Sequence, residues 1–394
     1  MPKFTFLVPP LTGHINPTLG IGKLLSERGH EVTWISVNDD MSTVIPEGCK
    51  LVVIPNLSSD AEKAEQKEMV NRAKTEKVYG IESLMFLYEK ALVPLNKYML
   101  ERLPQIMKEN PTDLIITDLQ VFAGAVFAFQ EGIPYVTSVT TPAAIKPNSW
   151  LPQVYNWEME KIVSFHKEAG IISDERLDYS KLATLVYTSE LFFGENSLPD
   201  YYKFVGPSIN TKRDRIDFDW NKLKENGERP KILLSIGTTF DHQMSRGQFY
   251  DKAAEALGNM DITVVAATEP DNFTKNIPDN FIVQKRVPQL ELLSYMDAVI
   301  CHAGHNTVVE SLFNGVPLVV LPIAYDQSYV AGRVTECGAG IRLNFNRFTP
   351  DALREAVQSL LNKNEYRENA RKIGDSFKEA GGVVKAIEIL ESLV

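Results

Sequence analysis

The chain has 394 residues, enough for two ordinary domains, and its apolar and charged fractions, 44% and 23%, are those of a soluble globular protein. Its formal net charge of −10 argues against nucleic acid as a main partner, because phosphate backbones favour a basic protein face. Its three cysteines are widely spaced, which excludes a disulfide framework and a paired Cys-x-x-Cys zinc site.

The N-terminal sequence PKFTFLV enters a strand pattern directly and carries no small-residue cleavage site, so we expect no signal peptide. The longest apolar stretch, Val121 to Phe129, is too short to span a bilayer. Together with the unpaired cysteines, which fit a reducing compartment, these features predict a cytoplasmic protein without a transmembrane segment.

The first half of the chain alternates short apolar runs with helical patterns, which predicts a parallel sheet with helices on both faces. The first predicted helix carries Asn16 as its N-cap and Gly29 after its last residue. In chain order, the predicted elements are strand Phe4–Val8, helix Pro17–Arg28, strands Glu31–Ser36 and Leu51–Ile54, a helical region from Ala61 to Lys108, strand Leu114–Thr117, helix Val121–Glu131 and strand Tyr135–Val139.

The charged segment Ser208–Arg229 interrupts this pattern, and we interpret it as a linker between two domains. The alternation then starts again. Strands are predicted at Ile232–Ile236, Ile262–Ala266, Phe281–Gln284, Ala298–Cys301 and Pro317–Leu321, and helices begin near His242, Gln289, Asn306, Gln327 and Pro350. Two α/β halves joined by a linker predict a cleft between them, because ligands of open α/β sheets bind outside the carboxyl ends of the strands.

The segment His302-Ala-Gly-His-Asn-Thr307 joins the predicted strand Ala298–Cys301 to a helix. A helix N-terminus presents unpaired N–H groups and a partial positive charge, which suit a pyrophosphate. Gly304 permits close backbone approach, His302 adds a donor, and Glu310, one turn into the helix, is placed to bind a ribose diol. These residues predict a site for the phosphates of a nucleotide.

Two other interpretations of this segment remain on local features alone. An ordinary strand–turn–helix connection with Asn306 or Thr307 as the helix cap explains the pattern as well as a phosphate site does. A zinc site formed by Cys301, His302 and His305 is disfavoured, because adjacent strand residues point to opposite faces and no fourth ligand is evident.

A larger pattern surrounds this segment. HAGHNTVVESLFNGVPLVVLPIAYDQ, residues 302–327, resembles the donor-binding signature of the UDP-dependent glycosyltransferases of family 1. Val287-Pro288-Gln289, the loop Ser235-Ile-Gly-Thr-Thr-Phe240 and the N-terminal segment Pro9–Pro17 match further elements of that family in order and spacing. The resemblance covers most of residues 229–394 and is nearest to bacterial macrolide and zeaxanthin glycosyltransferases.

The resemblance implies an α/β protein of the GT-B fold, with two Rossmann-like domains facing across a cleft. We expect residues 1–207 to form an acceptor-binding domain, residues 208–229 to form the linker and residues 230–394 to bind a nucleotide sugar. The C-terminal helix, at about 380–394, is expected to pack back on the first domain.

The resemblance also implies a role for each matching residue. It assigns binding of the phosphates to residues around His302 and binding of the ribose to Gln289 and Glu310. The sugar hydroxyls are assigned to the Asp326-Gln327 pair, for which a role as a helix N-cap is the alternative. Arg286 stands where the family commonly has a tryptophan that stacks on uracil, so a thymidine donor also remains open. The full set expected to hold the donor is Thr238, Thr239, Arg286, Val287, Gln289, His302, Gly304, Asn306, Thr307, Glu310, Asp326 and Gln327.

His14 is the candidate catalytic base. We expect it in the loop after the first strand, and an imidazole titrates near neutrality, which suits removal of a hydroxyl proton. Asp118, at the end of Leu114–Thr117, would fix the tautomer of His14 and stabilise its charged form. On position alone, a structural histidine and a helix-capping aspartate are the alternatives. The resemblance favours catalysis, because the family's base lies in the same Gly-His motif.

These assignments predict an inverting hexosyltransferase that uses a UDP-sugar, with UDP-glucose as the expected donor, and requires no metal or other cofactor. The acceptor hydroxyl, deprotonated by His14, would displace the nucleotide diphosphate in one step. Asp217-Phe218-Asp219 resembles the metal-binding Asp-x-Asp of a different glycosyltransferase fold, but it lies in the charged linker and we expect it to be solvated.

A small hydrophobic, hydroxylated acceptor is expected. The candidate region comprises Leu84, Met85, Phe86 and Tyr88 together with a predicted loop Thr141–Glu160 that carries Trp150, Tyr155 and Trp157; Phe86, Trp150 and Tyr155 are the expected contacts. Such side chains suit a helix core equally well. The competing hypotheses are a carotenoid or lipid glucosyltransferase loosely associated with a membrane, a dTDP-sugar-dependent natural-product glycosyltransferase, a two-domain sugar-nucleotide epimerase, and an inactive homologue that acts as a partner protein.

Overall fold

The computed structural model describes residues 1–37, 39–55, 81–145, 152–172, 176–195, 197–209, 216–225, 227–237, 243–324 and 326–394. The described residues form two compact units. The first unit contains those of residues 1–209 and 377–394, and the second contains those of residues 216–376.

A parallel sheet forms the centre of the first unit, as predicted. In the described part of the unit the sheet has seven strands in the order β3-β2-β1-β4-β5-β6-β7. The last two were not predicted, because three-residue strands give too short a pattern. The strands are β1 (Lys3–Leu7), β2 (Glu31–Ser36), β3 (Lys50–Val53), β4 (Leu114–Asp118), β5 (Tyr135–Val139), β6 (Thr184–Val186) and β7 (Tyr202–Phe204).

Helices follow the strands of this sheet, which confirms the predicted α/β alternation. A π-helical segment, Leu87–Leu92, joins the second helix to the third. Of the region predicted to be helical from Ala61 to Lys108, residues 61–80 lie outside the described residues. The helices are α1 (Thr12–Glu27), α2 (Ile81–Phe86), α3 (Val93–Glu109), α4 (Phe122–Glu131), α5 (Pro152–Glu168) and α6 (Glu190–Phe193).

The second unit repeats the strand order of the first. Its described residues form a six-stranded parallel sheet in the order β10-β9-β8-β11-β12-β13. The strands are β8 (Lys231–Ser235), β9 (Thr263–Ala267), β10 (Phe281–Gln284), β11 (Ala298–Cys301), β12 (Leu318–Val320) and β13 (Gly340–Arg342). The helices are α7 (Trp220–Glu225), α8 (Gln243–Leu257), α9 (Gln289–Leu293), α10 (His305–Phe313), α11 (Gln327–Glu336), α12 (Pro350–Asn362) and α13 (Asn364–Glu379), which ends in the first unit.

The last helix, α14 (Gly382–Glu391), belongs to the first unit. Its apolar face joins the core formed by β1 and β2, and Glu391 accepts hydrogen bonds from Arg28 (2.6 Å) and His30 (3.0 Å). The hydrogen bond from His30, followed by that from Arg28, lowers the pKa of the Glu391 carboxyl. Across the described chain, no helix is both long and apolar enough to cross a membrane.

The start of the first helix was predicted wrongly. Helix α1 begins at Thr12 rather than at Pro17, and Asn16 is not its N-cap. The Leu11 carbonyl accepts the N–H of His14 (2.9 Å), so a helical turn closes before the proline is reached. His14 therefore lies in the first turn of a helix and not in a loop.

Helix α1 is held against the sheet by Trp34, which is fully buried. The indole stacks on Phe6 with ring centroids 4.9 Å apart, and its Nε1 donates to the Thr18 hydroxyl (2.9 Å). The face of the ring lies where a side chain on Gly22 would begin. Because packed interiors have little free volume, this glycine sets the distance between α1 and β2.

The predicted linker is partly folded, and the expectation of a fully solvated Asp217-Phe218-Asp219 was wrong. Phe218 and Leu223 are buried, and a carboxylate oxygen of Asp219 accepts the N–H of Lys222 (3.0 Å) near the start of α7. Asp217 and Asp219 are exposed, as expected. The segment contacts the rest of the second unit through Trp220, whose ring centroid lies 5.6 Å from that of Tyr295, and through the Asp217 carbonyl, which accepts from Nε2 of Gln284 (2.6 Å).

We predict that Gly22→Ala lowers the free energy of unfolding by about 1–3 kcal/mol, because the new methyl group overlaps the Trp34 ring. Gly332→Ala is the matched control. Gly332 lies within α11, and an added Cβ meets no atom nearer than 3.9 Å, so the substitution should be neutral or stabilising by up to about 1 kcal/mol. Urea unfolding midpoints measure both, and equal shifts would contradict the role given to Gly22.

Candidate functional site

In each unit, the strand order reverses between two neighbouring parallel strands. In the first unit these are β1 and β4, with Leu7 opposite Thr117. The connections that follow the two strands leave in opposite directions, which opens a crevice at the carboxyl ends of the strands. His14 follows β1 and Asp118 is the last residue of β4, so both predicted catalytic residues lie at this reversal point.

The structure brings His14 and Asp118 together. The Nδ1 atom of His14 lies 3.0 and 2.9 Å from the two carboxylate oxygens of Asp118. Asp118 is fully buried and His14 is 8% exposed. A carboxylate only accepts hydrogen bonds, so Nδ1 carries a proton, and in the neutral ring the lone pair is on Nε2.

The helix-capping alternative for Asp118 also has a basis in the structure. Its Oδ1 accepts the backbone N–H of Gln120 (2.8 Å), which orders the turn that leads into α4. The same carboxylate therefore orders a turn and orients His14. The two interpretations of Asp118 are compatible.

Sequence reasoning missed a third member of this group, Thr140, which is 3% exposed. Its Oγ1 lies 2.7 Å from Nδ1 of His14 and donates to Oδ2 of Asp118 at 3.2 Å. Thr140 directly follows β5, the strand that pairs with β4 in parallel. A polar residue just beyond a strand that neighbours β4 was the available signal.

The second unit places its predicted phosphate residues at the equivalent reversal point. Strands β8 and β11 pair in parallel, and the residues that follow them include Gly237 and His302. A Cβ on Gly237 would lie 2.6 Å from the His302 ring, and one on Gly304 would lie 2.7 Å from its Nε2. The imidazole therefore fits between two glycines, with 7% of its surface exposed.

The backbone after His302 is strained. Ala303 is buried and has φ of 65°, a left-handed conformation that costs a non-glycine residue roughly 1–2 kcal/mol. Gly304 then serves as the N-cap of α10, so no side chain at that position caps the first turn. The alternative in which Asn306 or Thr307 caps the helix was wrong, because the helix begins earlier. Strain of this kind is typical of functional loops.

The two residues predicted to bind the ribose are in contact. Nε2 of Gln289, at the start of α9, donates to Oε2 of Glu310 in α10 at 2.6 Å. Glu310 is 3% exposed. The amide partner orients this buried carboxylate, and a carboxylate held in this way is suited to accept hydrogen bonds from a diol.

The Asp326-Gln327 pair starts α11. Oε1 of Gln327 accepts the backbone N–H groups of Ile323 (2.8 Å) and Ala324 (2.9 Å), which occupy both of its lone pairs. With its oxygen engaged in this way, the amide of Gln327 can serve a ligand through its NH₂ group. Asp326 is the N-cap residue, but its side chain makes no capping hydrogen bond.

The remaining donor residues are partly described. Arg286 is exposed beside the buried Val287, and its backbone carbonyl accepts from Nε2 of Gln284 (2.7 Å). Thr238 and Thr239 lie outside the described residues. This hydrogen bond orders the turn that carries Arg286. Stacking of Arg286 on the nucleotide base remains a prediction.

The acceptor candidates divide into two groups. The predicted loop Thr141–Glu160 is wrong in its second half, because Pro152–Glu168 is helix α5. Trp157 of this helix packs edge-on against Tyr88, with centroids 5.8 Å apart, and belongs to the core. Phe86 and Tyr155 are half-buried and remain acceptor predictions. Trp150 lies outside the described residues.

Metal ligands are not assembled in the described parts of the chain, where no three His, Cys, Asp or Glu side chains form a group that could hold a metal ion. Cys301 is fully buried, and burial raises the pKa of its thiol to about 12. A thiolate is the form that binds zinc. This environment does not favour the zinc interpretation of Cys301, His302 and His305.

Comparisons with known proteins agree with this architecture. The family described as UDP-glucoronosyl and UDP-glucosyl transferase matches residues 189–380. The NDP-glycosyltransferase YjiC of Bacillus subtilis is 27% identical over 397 residues, covering 98% of this chain and 95% of that protein. The zeaxanthin glucosyltransferase of Pantoea ananas is 24% identical, covering 100% and 96%. The solved glycosyltransferase of kitacinnamycin aligns with a TM-score of 0.78 at 21% identity, covering 100% and 99%.

Two Rossmann-like units on parallel sheets, aligned along their full length with a solved glycosyltransferase, define the GT-B fold. The protein is therefore an enzyme of the glycosyltransferase class. Within that class, the match to the UDP-glucoronosyl and UDP-glucosyl transferase family over residues 189–380 agrees with the resemblance that the sequence motifs implied.

We predict that Gly304→Ala weakens binding of UDP at least tenfold. The added methyl group displaces the His302 ring and enters the N-cap of α10, and loss of one hydrogen bond to a charged phosphate costs about 1.5–3 kcal/mol. Isothermal titration with UDP measures the effect. The Gly332→Ala variant, whose added Cβ meets no near neighbour, should bind UDP as the parent does. An unchanged dissociation constant for Gly304→Ala would contradict the assigned site.

Proposed function

We propose that the protein transfers a hexose, glucose from UDP-glucose, to the hydroxyl group of a small apolar or aromatic acceptor, with inversion at the anomeric carbon. The hydrogen bond between Nδ1 of His14 and the buried carboxylate of Asp118 is the observation that carries this proposal. In the neutral ring this hydrogen bond places the lone pair on Nε2, in the first turn of a helix at the edge of the sheet where ligands of this fold class bind.

In the proposed reaction, Nε2 of His14 removes the proton of the acceptor hydroxyl while its oxygen attacks the anomeric carbon. The bond from that carbon to the nucleotide diphosphate breaks, and the proton stays on His14. The positive charge that forms on the imidazole is stabilised by Asp118, which accepts the Nδ1 hydrogen throughout. One displacement from the face opposite the leaving group inverts the configuration.

The second unit would bind the donor. In this proposal His302 and the first turn of α10 hold the diphosphate, since N–H groups at a helix N-terminus stabilise the charge that develops on a leaving phosphate. The Gln289–Glu310 pair binds the ribose. Asp326 accepts hydrogen bonds from the sugar, and the NH₂ of Gln327 donates one, since its carbonyl oxygen is occupied.

The donor base and the acceptor are proposed from the names of the relatives and from the chemistry of Arg286, Phe86 and Tyr155. The relative in Bacillus subtilis is named for NDP-sugars, which leaves the base open, and Arg286 can stack on uracil or thymine alike. The relative in Pantoea acts on zeaxanthin, an apolar acceptor with hydroxyl groups. Half-buried Phe86 and Tyr155 are suited to an apolar acceptor of this kind. We propose UDP-glucose as the donor and a phenol or a similar hydroxyl compound as the acceptor.

We predict that His14→Ala lowers turnover with alcohol and phenol acceptors by about 10²–10⁴-fold, the usual contribution of a general base, while affinity for UDP is retained. Mass-detected transfer from UDP-glucose to a panel of phenols measures turnover, and calorimetry measures UDP binding.

The control for this prediction is His30→Gln in the same unit. His30 contacts Glu391 on α14 and has no role in the proposed chemistry. The variant should therefore keep turnover within about threefold of the parent value, because substitutions away from a functional site usually have small effects. Full activity in His14→Ala would exclude His14 as the base. Loss of UDP binding in that variant would show a structural defect instead.

A further inference from the structure

Thr140 is part of the His14–Asp118 group, but neither the sequence motifs nor the resemblance gave it a role. Its Oγ1 contacts both partners, at 2.7 Å from Nδ1 of His14 and 3.2 Å from Oδ2 of Asp118. The three side chains thus form a closed triangle, and Thr140 and Asp118 are both almost completely buried. With so little water contact, these polar atoms must find their partners within the protein, and apart from the Gln120 N–H on Oδ1 of Asp118 the contacts named here lie inside the group.

The acceptor to which the Thr140 hydroxyl donates its single proton determines whether His14 can act as a base. When that proton is donated to Oδ2 of Asp118, the Thr140 oxygen accepts part of the Nδ1 hydrogen, and Nε2 has a lone pair. When it is donated to Nδ1 instead, the ring proton must lie on Nε2, and His14 cannot act as a base. The negative charge of Asp118 favours the first arrangement, because hydrogen bonds to charged acceptors are the stronger ones.

We propose that Thr140 is a positioning residue for the base. Asp118 sets the tautomer in which Nε2 accepts a proton, and the Thr140 hydroxyl group, which contacts both partners, fixes the orientation of the His14 ring. This inference rests on the proposed function of His14 and extends it to a residue on a third element, the end of β5. Thr140 acts through His14 and makes no contact with substrate in this proposal.

A role of Thr140 in orienting His14 can be distinguished from a purely structural role by comparison with a second buried threonine nearby. Thr137, on the same strand, is also fully buried, and its Oγ1 accepts the backbone N–H of Ser180 (2.9 Å). Substitution of either threonine by the isosteric valine removes one buried hydroxyl from this part of the sheet. Only the substitution at position 140 removes a partner of His14.

Three variants, Thr140→Val, Thr140→Ser and Thr137→Val, are to be assayed with UDP-glucose and a series of phenols of increasing pKa. Thr140→Val should lower kcat by about 10–100-fold for weakly acidic phenols, because small misplacement of a catalytic group has effects of that size. The deficit should disappear for nitrophenols that are already ionised, since these need no base. Thr140→Ser should restore kcat, and Thr137→Val should show no dependence on acceptor pKa.

A second readout does not require activity. In ¹⁵N-histidine NMR spectra, with the His14 signals assigned by their loss in His14→Gln, the parent protein should show the Nδ1–H tautomer. Thr140→Val should keep that tautomer, because Asp118 still accepts the Nδ1 hydrogen, but its Nδ1 signal should shift and broaden once the Thr140 oxygen no longer contacts Nδ1. Thr137→Val should match the parent.

The proposal is overturned if Thr140→Val keeps both the parental Nδ1 signal and the parental kcat, or if its loss of kcat is the same for every phenol. These results are separable from failure of the proposed function. If His14→Ala remains active, the base assignment itself fails. If His14→Ala is inactive while Thr140→Val behaves as the parent, only the role of Thr140 fails.

Discussion

Parallel pairing of β1 with β4, and of β8 with β11, is the constraint on which the rest of the site depends. Each pair lies where the strand order reverses, so the segments that follow the two strands diverge and leave their polar side chains at one edge. His14 and Asp118 meet at the first reversal point although they are 104 residues apart in the chain. His302 meets Gly237 at the second. The pairing of the strands thus determines the chemistry each edge can present.

Glycines then determine where the chemical groups can lie. Gly22 allows the Trp34 ring to reach α1, which places the helix turn that carries His14. Gly237 and Gly304 leave between them the space that the His302 ring occupies. In each case glycine is required, because an aromatic ring or an imidazole occupies the space that a side chain would fill. Close packing of this kind transmits the geometry of the sheet to the functional groups.

The fold class and most strands could be predicted from the sequence, because strands buried on both faces, such as Leu114–Asp118, appear as short uninterrupted apolar runs. The start of α1 could not be predicted, since it depends on the Leu11 carbonyl and not on the proline or the Asn16 cap signal. Thr140 was missed because its partners come from other elements, His14 from α1 and Asp118 from β4. The aromatic residues of α5 were ambiguous, because their period suits a core and a ligand pocket equally.

In the proposed mechanism one unit supplies the base, the other holds the donor, and the reaction is a single displacement at the anomeric carbon. The configuration of the product tests this displacement most directly. The glucosyl group of UDP-glucose is α-linked, so ¹H NMR of the early product of transfer to a phenol should show the anomeric proton of a β-glucoside. An α-glucoside would contradict the single displacement and with it the role assigned to His14 and Asp118.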